Sequence, residues 1–118
     1  MLTLPPNVSI LISRQPINMQ KSFDGLIAIV RSVLHVDPAN GALFVFFNKK
    51  RNKIKILYWD HDGFALWYKR LETGTFRLPK ITKNAMSVPV TRAQLGMLLE
   101  GIELNNAKQY KRYSKKVA

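Results

Sequence analysis

One block of the sequence, residues 41–79, constrains the fold more than any other. It contains three apolar runs of strand length, at 42–47, 54–59 and 64–70, joined by two short polar segments. Short polar connections between such runs are typical of consecutive antiparallel strands, so we expect a β-meander over residues 42–70. The first run is continuously apolar, which predicts a central strand covered on both faces.

The second polar segment, residues 60–63, decides the expected register of the last two strands. If Gly63 supplies a positive φ, the connection is a three-residue loop. The predicted cross-strand pairs are then Tyr58 with Leu66 and Ile56 with Tyr68. Because side chains alternate along a strand, this register places Tyr68 on the core face and both tryptophans, Trp59 and Trp67, on the opposite face.

Two helices are predicted outside the meander. Apolar residues recur at helical spacing from Phe23 to Leu34, which predicts a helix over about 19–35 with Asn18 or Ser22 as its N-cap. Thr91 followed by Gln94 is the pattern of a capping box and predicts a second helix over about 92–101.

These elements predict an α+β fold. Residues 8–13 follow two prolines and favour an edge strand, and residues 86–90 favour another short strand. We expect a mostly antiparallel sheet of about four to five strands with the two helices packed on it. The predicted organisation is a single domain over 1–104 and a flexible basic tail over 105–118.

The net charge of +12 is concentrated in two segments. Residues 49–83 carry ten basic and three acidic side chains, and residues 105–118 carry five basic and no acidic ones. Such patches attract polyanions because binding releases condensed counterions. Nucleic acid is therefore the favoured partner, ahead of an acidic protein or a surface that serves only solubility.

The candidate nucleic-acid-binding residues follow this charge. They are Lys49, Lys50, Arg51, Lys53 and Lys55 at the first turn, Lys69, Arg70, Arg77, Lys80 and Lys83 beyond it, and Lys111 and Arg112 in the tail. Arg70 has two alternatives, a phosphate or a carboxylate such as Glu72 or Asp60. Trp59 and Trp67 are candidate stacking residues, although burial in the core is favoured because two exposed indoles are costly.

The sequence contains few groups suited to catalysis. Cysteine is absent, and there is no Ser-His-Asp set and no phosphate-binding glycine loop. The run Asp60-His61-Asp62 indicates turn chemistry rather than a metal site, because adjacent side chains on a tight turn rarely converge on one ion. We expect no catalytic residues, no metal and no cofactor. No apolar run is long enough to cross a bilayer and no leader is evident, so we expect a cytoplasmic protein.

The order of short motifs resembles the accessory protein of insertion-sequence family 66, the TnpB-type product of the element's second reading frame. The matching motifs are Phe23-Asp-Gly-Leu, Pro38-x-x-Gly-x-Leu-Phe-Val-Phe, the turn at 49–53, Ile54-Lys-Ile-Leu-Tyr-Trp-Asp, Asp62-Gly63, Lys69-Arg-Leu-Glu-x-Gly-x-Phe with Pro79, and Gln94-Leu95 with Leu98-Leu-Glu-Gly101. The chain departs from the family pattern at Asn18 and Gln20, where the family has an acidic and a basic residue, and at Leu78, where it has an aromatic one.

The resemblance implies a bacterial protein that is encoded beside a transposase and is needed for transposition. With the charge pattern, it predicts a non-catalytic accessory factor that binds the element's DNA through the basic turn and the tail and also contacts the transposase. Two alternatives stay open. One is a subunit that bridges transposase molecules without binding DNA, and the other is a small basic ribonuclease of the toxin type that uses His61 and neighbouring cations.

Overall fold

The structure is a computed structural model that describes residues 7–101. Its elements in chain order are β1 (Ile10–Ser13), α1 (Phe23–Ser32), β2 (Leu43–Phe47), β3 (Lys53–Asp60), β4 (Gly63–Arg70), β5 (Ser87–Val90) and α2 (Arg92–Leu99). The predicted α+β fold with a central meander is confirmed. The tail predicted over 105–118 lies outside the described residues.

The five strands form one sheet in the order β4-β3-β2-β1-β5. β1 runs parallel to β2, and every other neighbouring pair is antiparallel. The prediction that residues 8–13 form an edge strand is wrong, because α1 crosses over between β1 and β2 and β5 then pairs with the free side of β1. Within the described part of the chain the edges are β4 and β5. β5 carries the exposed Pro89, which suits an edge because proline has no N–H to donate.

The two helices cover opposite faces of the sheet. On the α1 face, Leu26 and Val30 of α1 pack on a buried cluster completed by Ile17, Ala42, Phe44, Phe46 and Leu57. On the α2 face, Leu95 and Leu98 of α2 join a cluster completed by Ile10, Ile12, Leu43, Val45, Phe47, Ile54, Ile56 and Phe76. Every side chain of β2 is buried, as its continuously apolar sequence predicts.

The predicted register between β3 and β4 is wrong by one residue. Asp60 pairs with Gly63, so the turn consists of two residues, His61 and Asp62. His61 adopts a φ of 61° itself, so Gly63 is not needed for a positive φ and becomes part of the strand. The pairs observed in place of the predicted ones are Tyr58 with Ala65, Ile56 with Trp67 and Lys55 with Tyr68.

This shift moves two large aromatic side chains. Trp67 now lies opposite Ile56 and packs on the α2 face. Tyr68 lies opposite Lys55 and belongs to the α1 face, where it is 49% exposed. Because a one-residue slip exchanges the faces of a strand, the slip removes the tyrosine from the core.

The start of α2 is confirmed, but both helices are shorter than predicted: α1 spans Phe23–Ser32 instead of 19–35, and α2 spans Arg92–Leu99 instead of 92–101. Thr91 Oγ1 accepts from the Gln94 N–H at 3.0 Å, and Gln94 Oε1 accepts from the Thr91 N–H at 2.8 Å, which completes the predicted capping box. Ser22 occupies the N-cap of α1 without a side-chain capping hydrogen bond. Between residues 7 and 101, no helix is both long and apolar enough to cross a membrane.

Candidate nucleic-acid interface

The connection between β2 and β3, together with Lys53 at the start of β3, is here called the basic turn (residues 48–53). Its shape depends on two asparagines. The Asn48 Oδ1 accepts from the backbone N–H groups of Asn52 at 3.1 Å and Lys53 at 3.0 Å, while Asn48 Nδ2 donates to Asn52 Oδ1 at 2.7 Å. Asparagine is favoured in turns because its side chain can satisfy nearby backbone groups in this way. These two residues were not among the predicted site residues.

The basic turn is also held from outside by the irregular segment 71–86. The N–H of Phe76 donates to the Arg51 carbonyl and the N–H of Leu71 donates to the Asn52 carbonyl, each at 2.7 Å. Arg51 has a φ of 58°, which a non-glycine residue adopts when its surroundings enforce it. The backbone of the turn is therefore fixed while its long side chains project outward.

Four cations of the basic turn have no carboxylate partner in the part of the chain that the structure describes. Lys49, Lys50 and Arg51 are exposed and Lys53 is half-buried. The ion pair described between two residues of 7–101 joins Arg70 to Glu72, at 2.9 Å between side chains that are 62% and 75% exposed. The positive charge of the turn is consequently uncompensated in its neighbourhood, which is the electrostatic requirement for binding an anion.

A groove of about 510 Å³, here called the turn groove, lies beside these cations on the α1 face. The residues that line it come from the segment before α1, from the basic turn and from β4: Ile17, Asn18, Met19, Gln20, Asn48, Lys49, Lys50, Lys53 and Tyr68. A smaller cavity of about 170 Å³ is lined by Arg14, Lys49 and Arg51 among others. The basic turn therefore presents cations to two concave surfaces.

Tyr68 lies at the candidate site, whereas the predicted register had placed it in the core. It is among the most exposed large aromatic side chains described, and it forms a wall of the turn groove. The Lys55 ammonium lies 4.7 Å from the centre of its ring. A cation at this distance from a ring centre is attracted by the electron-rich face of the ring.

Lys55 does not project with the other predicted cations. It is only 5% exposed, and its ammonium donates to the carbonyls of Met19 at 2.6 Å and Lys21 at 2.8 Å. Burial lowers the pKa of the Lys55 ammonium from its usual value. Because its donors are used within the protein, we leave Lys55 out of the proposed interface and assign it a structural role.

This role gives a stability prediction. Lys55→Met keeps most of the aliphatic stem but removes two charge-assisted hydrogen bonds, so we expect the free energy of unfolding to fall by about 1.5–3 kcal/mol. Urea denaturation followed by tryptophan fluorescence measures the change. Lys53→Met, on the same strand and face, is the control and is expected to alter stability by no more than about 0.5 kcal/mol. Equal stability of the two variants would contradict the assigned role.

The other predicted cations are dispersed. Lys69 and Arg70 are exposed on β4, but Arg70 is paired with Glu72, whose hydrogen bond raises the pKa of the Arg70 guanidinium. Of the two partners predicted for Arg70, a phosphate or a carboxylate, the structure shows the carboxylate of Glu72. Arg77, Lys80 and Lys83 are exposed along the segment 71–86. Lys111 and Arg112 lie outside the described residues.

The two predicted stacking residues do not come together. Trp59 is half-buried on the α1 face and makes an edge-to-face contact with Phe64, with ring centres 5.1 Å apart. Trp67 is half-buried against the cluster on the α2 face. Trp59 also lies six residues along β3 from Lys53, or about 20 Å at the usual rise of a strand. Neither indole lines the turn groove.

His61 is placed at the end of the meander opposite the basic turn. It follows Asp60, the last residue of β3, whereas Lys53 is the first, and the span of the strand is about 23 Å. The structure therefore separates His61 from the cations of the basic turn. Among residues 7–101, no three His, Asp or Glu side chains are grouped as metal ligands.

Comparisons with known proteins identify the family. A family described as IS66 Orf2 like protein matches residues 8–109. An uncharacterized protein of Sinorhizobium fredii, y4jC, is 31% identical over 100 residues, which cover 85% of this chain and 84% of the relative. A second, y4hO of the same organism, is 34% identical over 103 residues, or 87% and 88% of the two chains. No solved structure gives a significant match. The chain therefore belongs to the IS66 Orf2-like family.

Proposed function

We propose that this protein is a non-catalytic accessory factor in the transposition of an insertion sequence and that it binds the element's DNA through the basic turn. The observation that carries the proposal is the fixed turn with four cations, Lys49, Lys50, Arg51 and Lys53, that have no carboxylate partner among residues 7–101. Membership of the IS66 Orf2-like family supports the link to transposition.

The proposed mechanism is electrostatic. A turn whose backbone is already ordered loses little conformational entropy when its side chains meet phosphates. Each neutralised phosphate releases counterions, so the affinity falls with salt. The basic residues of the tail, including Lys111 and Arg112, would add contacts that do not depend on base sequence. The transposase of the same element is the proposed protein partner, in the bacterial cytoplasm where that DNA lies.

The test is fluorescence anisotropy with labelled DNA from the end of the element and a shuffled control, from about 50 to 300 mM salt. We expect the logarithm of the association constant to fall linearly with the logarithm of the salt concentration. The slope should steepen by about 0.9 for each phosphate contacted on duplex DNA. Tighter binding to the element's end than to the shuffled control would show that the protein also recognises DNA sequence. No binding to any DNA at the lowest salt would refute the proposal.

A protein-bridging function is the second candidate, and the edge of the sheet favours it. β4 is an eight-residue strand with β3 on one side, and no strand within residues 7–101 pairs with its other side. A free edge of this length can accept a strand from a partner through backbone hydrogen bonds. Co-purification with the transposase after nuclease treatment, without DNA binding by the isolated protein, would favour this function over the first.

A further inference from the structure

Tyr68 is held in a way that suits a stacking platform. Tyr68 is 49% exposed, although its ring lies on the α1 face of the sheet, where Lys55 and the cluster that includes Leu26 and Val30 are buried. Lys55 is nearly inaccessible and its ammonium lies over one face of the ring, and Tyr68 lines the turn groove. One face of the ring is thus in contact with the protein, and the exposed part of the side chain is open to a ligand.

The ring is also pre-oriented by the residues behind it. The Lys55 ammonium is fixed by the carbonyls of Met19 and Lys21, and the cation–π contact fixes the ring relative to that ammonium. A side chain that is already ordered loses less entropy on binding than a free one. Tyr68 therefore differs from a tyrosine that is merely exposed.

The same groove is lined by Lys49, Lys50 and Lys53, which have no carboxylate partner among the described residues. An aromatic surface beside a row of cations is the combination that binds single-stranded nucleic acid, with bases on the ring and phosphates on the cations. In a duplex the bases are already stacked, and turning one outward costs a few kcal/mol. The groove is therefore better matched to an unpaired base than to a duplex.

We propose that the turn groove binds an unpaired nucleotide of single-stranded DNA, with the base stacked on Tyr68 and adjacent phosphates on Lys49, Lys50 and Lys53. This inference rests on the proposed function and deepens it by naming single-stranded DNA as the substrate.

The test compares a labelled single strand with its duplex for the full-length protein and three variants, Tyr68→Ala, Tyr68→Phe and Lys50→Ala. The wild type should bind the single strand about tenfold more tightly than the duplex at equal salt. Tyr68→Ala should weaken single-strand binding by about 5- to 100-fold, leave the duplex within about twofold, and leave the salt dependence unchanged because the ring is uncharged. Tyr68→Phe should bind like the wild type.

Lys50→Ala supplies the contrasting behaviour, because loss of a phosphate contact should weaken binding to both forms and reduce the salt dependence by nearly one unit. A direct readout on the wild type is photocrosslinking to a strand containing 5-iodouracil, with Tyr68 expected as the attached residue. Tyr68→Ala binding both DNA forms as the wild type does, or weakening both equally, would overturn the inference while leaving DNA binding intact. Absence of any binding by the wild type would instead refute the proposed function.

Discussion

Replacing Phe76 with alanine is expected to lower the free energy of unfolding by about 3–5 kcal/mol. Phe76 lies outside the strands and helices, yet only 2% of it is exposed and its ring centre lies 5.6 Å from that of Phe47. The substitution removes a large buried side chain and leaves a cavity that the sheet beneath cannot fill. Since a domain of this size is stable by only about 5–15 kcal/mol, the loss is a large share of the total.

Phe23→Ala is the matched control, because the same side chain there is 42% exposed. We expect a change within about 0.5 kcal/mol at this position, the first residue of α1. Urea denaturation followed by the fluorescence of the two tryptophans measures both variants. If Phe76→Ala were no less stable than Phe23→Ala, the segment 71–86 would not be part of the core, and its hold on the basic turn would have to be reconsidered.

Replacing Lys49, Lys50 and Lys53 together with glutamine is expected to weaken DNA binding by about 10²–10³-fold at 0.1 M salt. Each lost phosphate contact removes a counterion-release term of about 0.9 from the salt dependence, so the slope should become shallower by about 2.7 on duplex DNA. Glutamine removes the charge and keeps the first two methylenes of each lysine stem, including that of the half-buried Lys53. Anisotropy titrations at several salt concentrations measure affinity and slope together.

The control removes the same amount of charge elsewhere. Arg77, Lys80 and Lys83 are exposed on the segment 71–86 and do not line the turn groove. Replacing these three with glutamine should reduce the slope by less than one unit, because a charge distant from the DNA acts only through the screened field of the protein. If the two triple variants lost affinity equally, net charge rather than the basic turn would be the source of binding.

The meander was predictable because local patterns specify it. Apolar runs of strand length alternate with polar segments, and these patterns are satisfied by neighbouring residues. The register between β3 and β4 was not predictable in the same way. The run Phe64-Ala65-Leu66-Trp67-Tyr68 is apolar or aromatic at every position, so alternation does not distinguish its two faces. The register then depends on whether His61 or Gly63 takes the positive φ, and sequence alone favoured the glycine.

The position of β1 depended on contacts that no local pattern reveals. Its neighbours are β2, beyond α1, and β5, near the other end of the described chain. A short strand of apolar residues can lie at the edge or in the interior of a sheet. Which position it takes depends on whether a distant segment pairs with its second side. For the same reason, the sequence did not predict which face of the sheet each helix covers.

The candidate site was predictable in its charge and not in its details. Basic residues clustered at a turn were evident from the sequence, since they stand in consecutive positions. The division of labour between Lys53 and Lys55 was not, because both belong to one strand face and only the carbonyls of Met19 and Lys21 distinguish them. Tyr68 was missed as a direct consequence of the register.

The strand order has a consequence for the growing chain. β1 is synthesised first but gains its second neighbour last, since Ile10 pairs with Val90 and Ser13 with Ser87. The meander, by contrast, pairs residues that leave the ribosome close together and needs only short loop closures. The basic turn can therefore form early, whereas one edge of β1 stays unpaired until residues near 90 leave the ribosome. A nascent chain released before that point would expose an apolar strand edge, a surface on which chains aggregate.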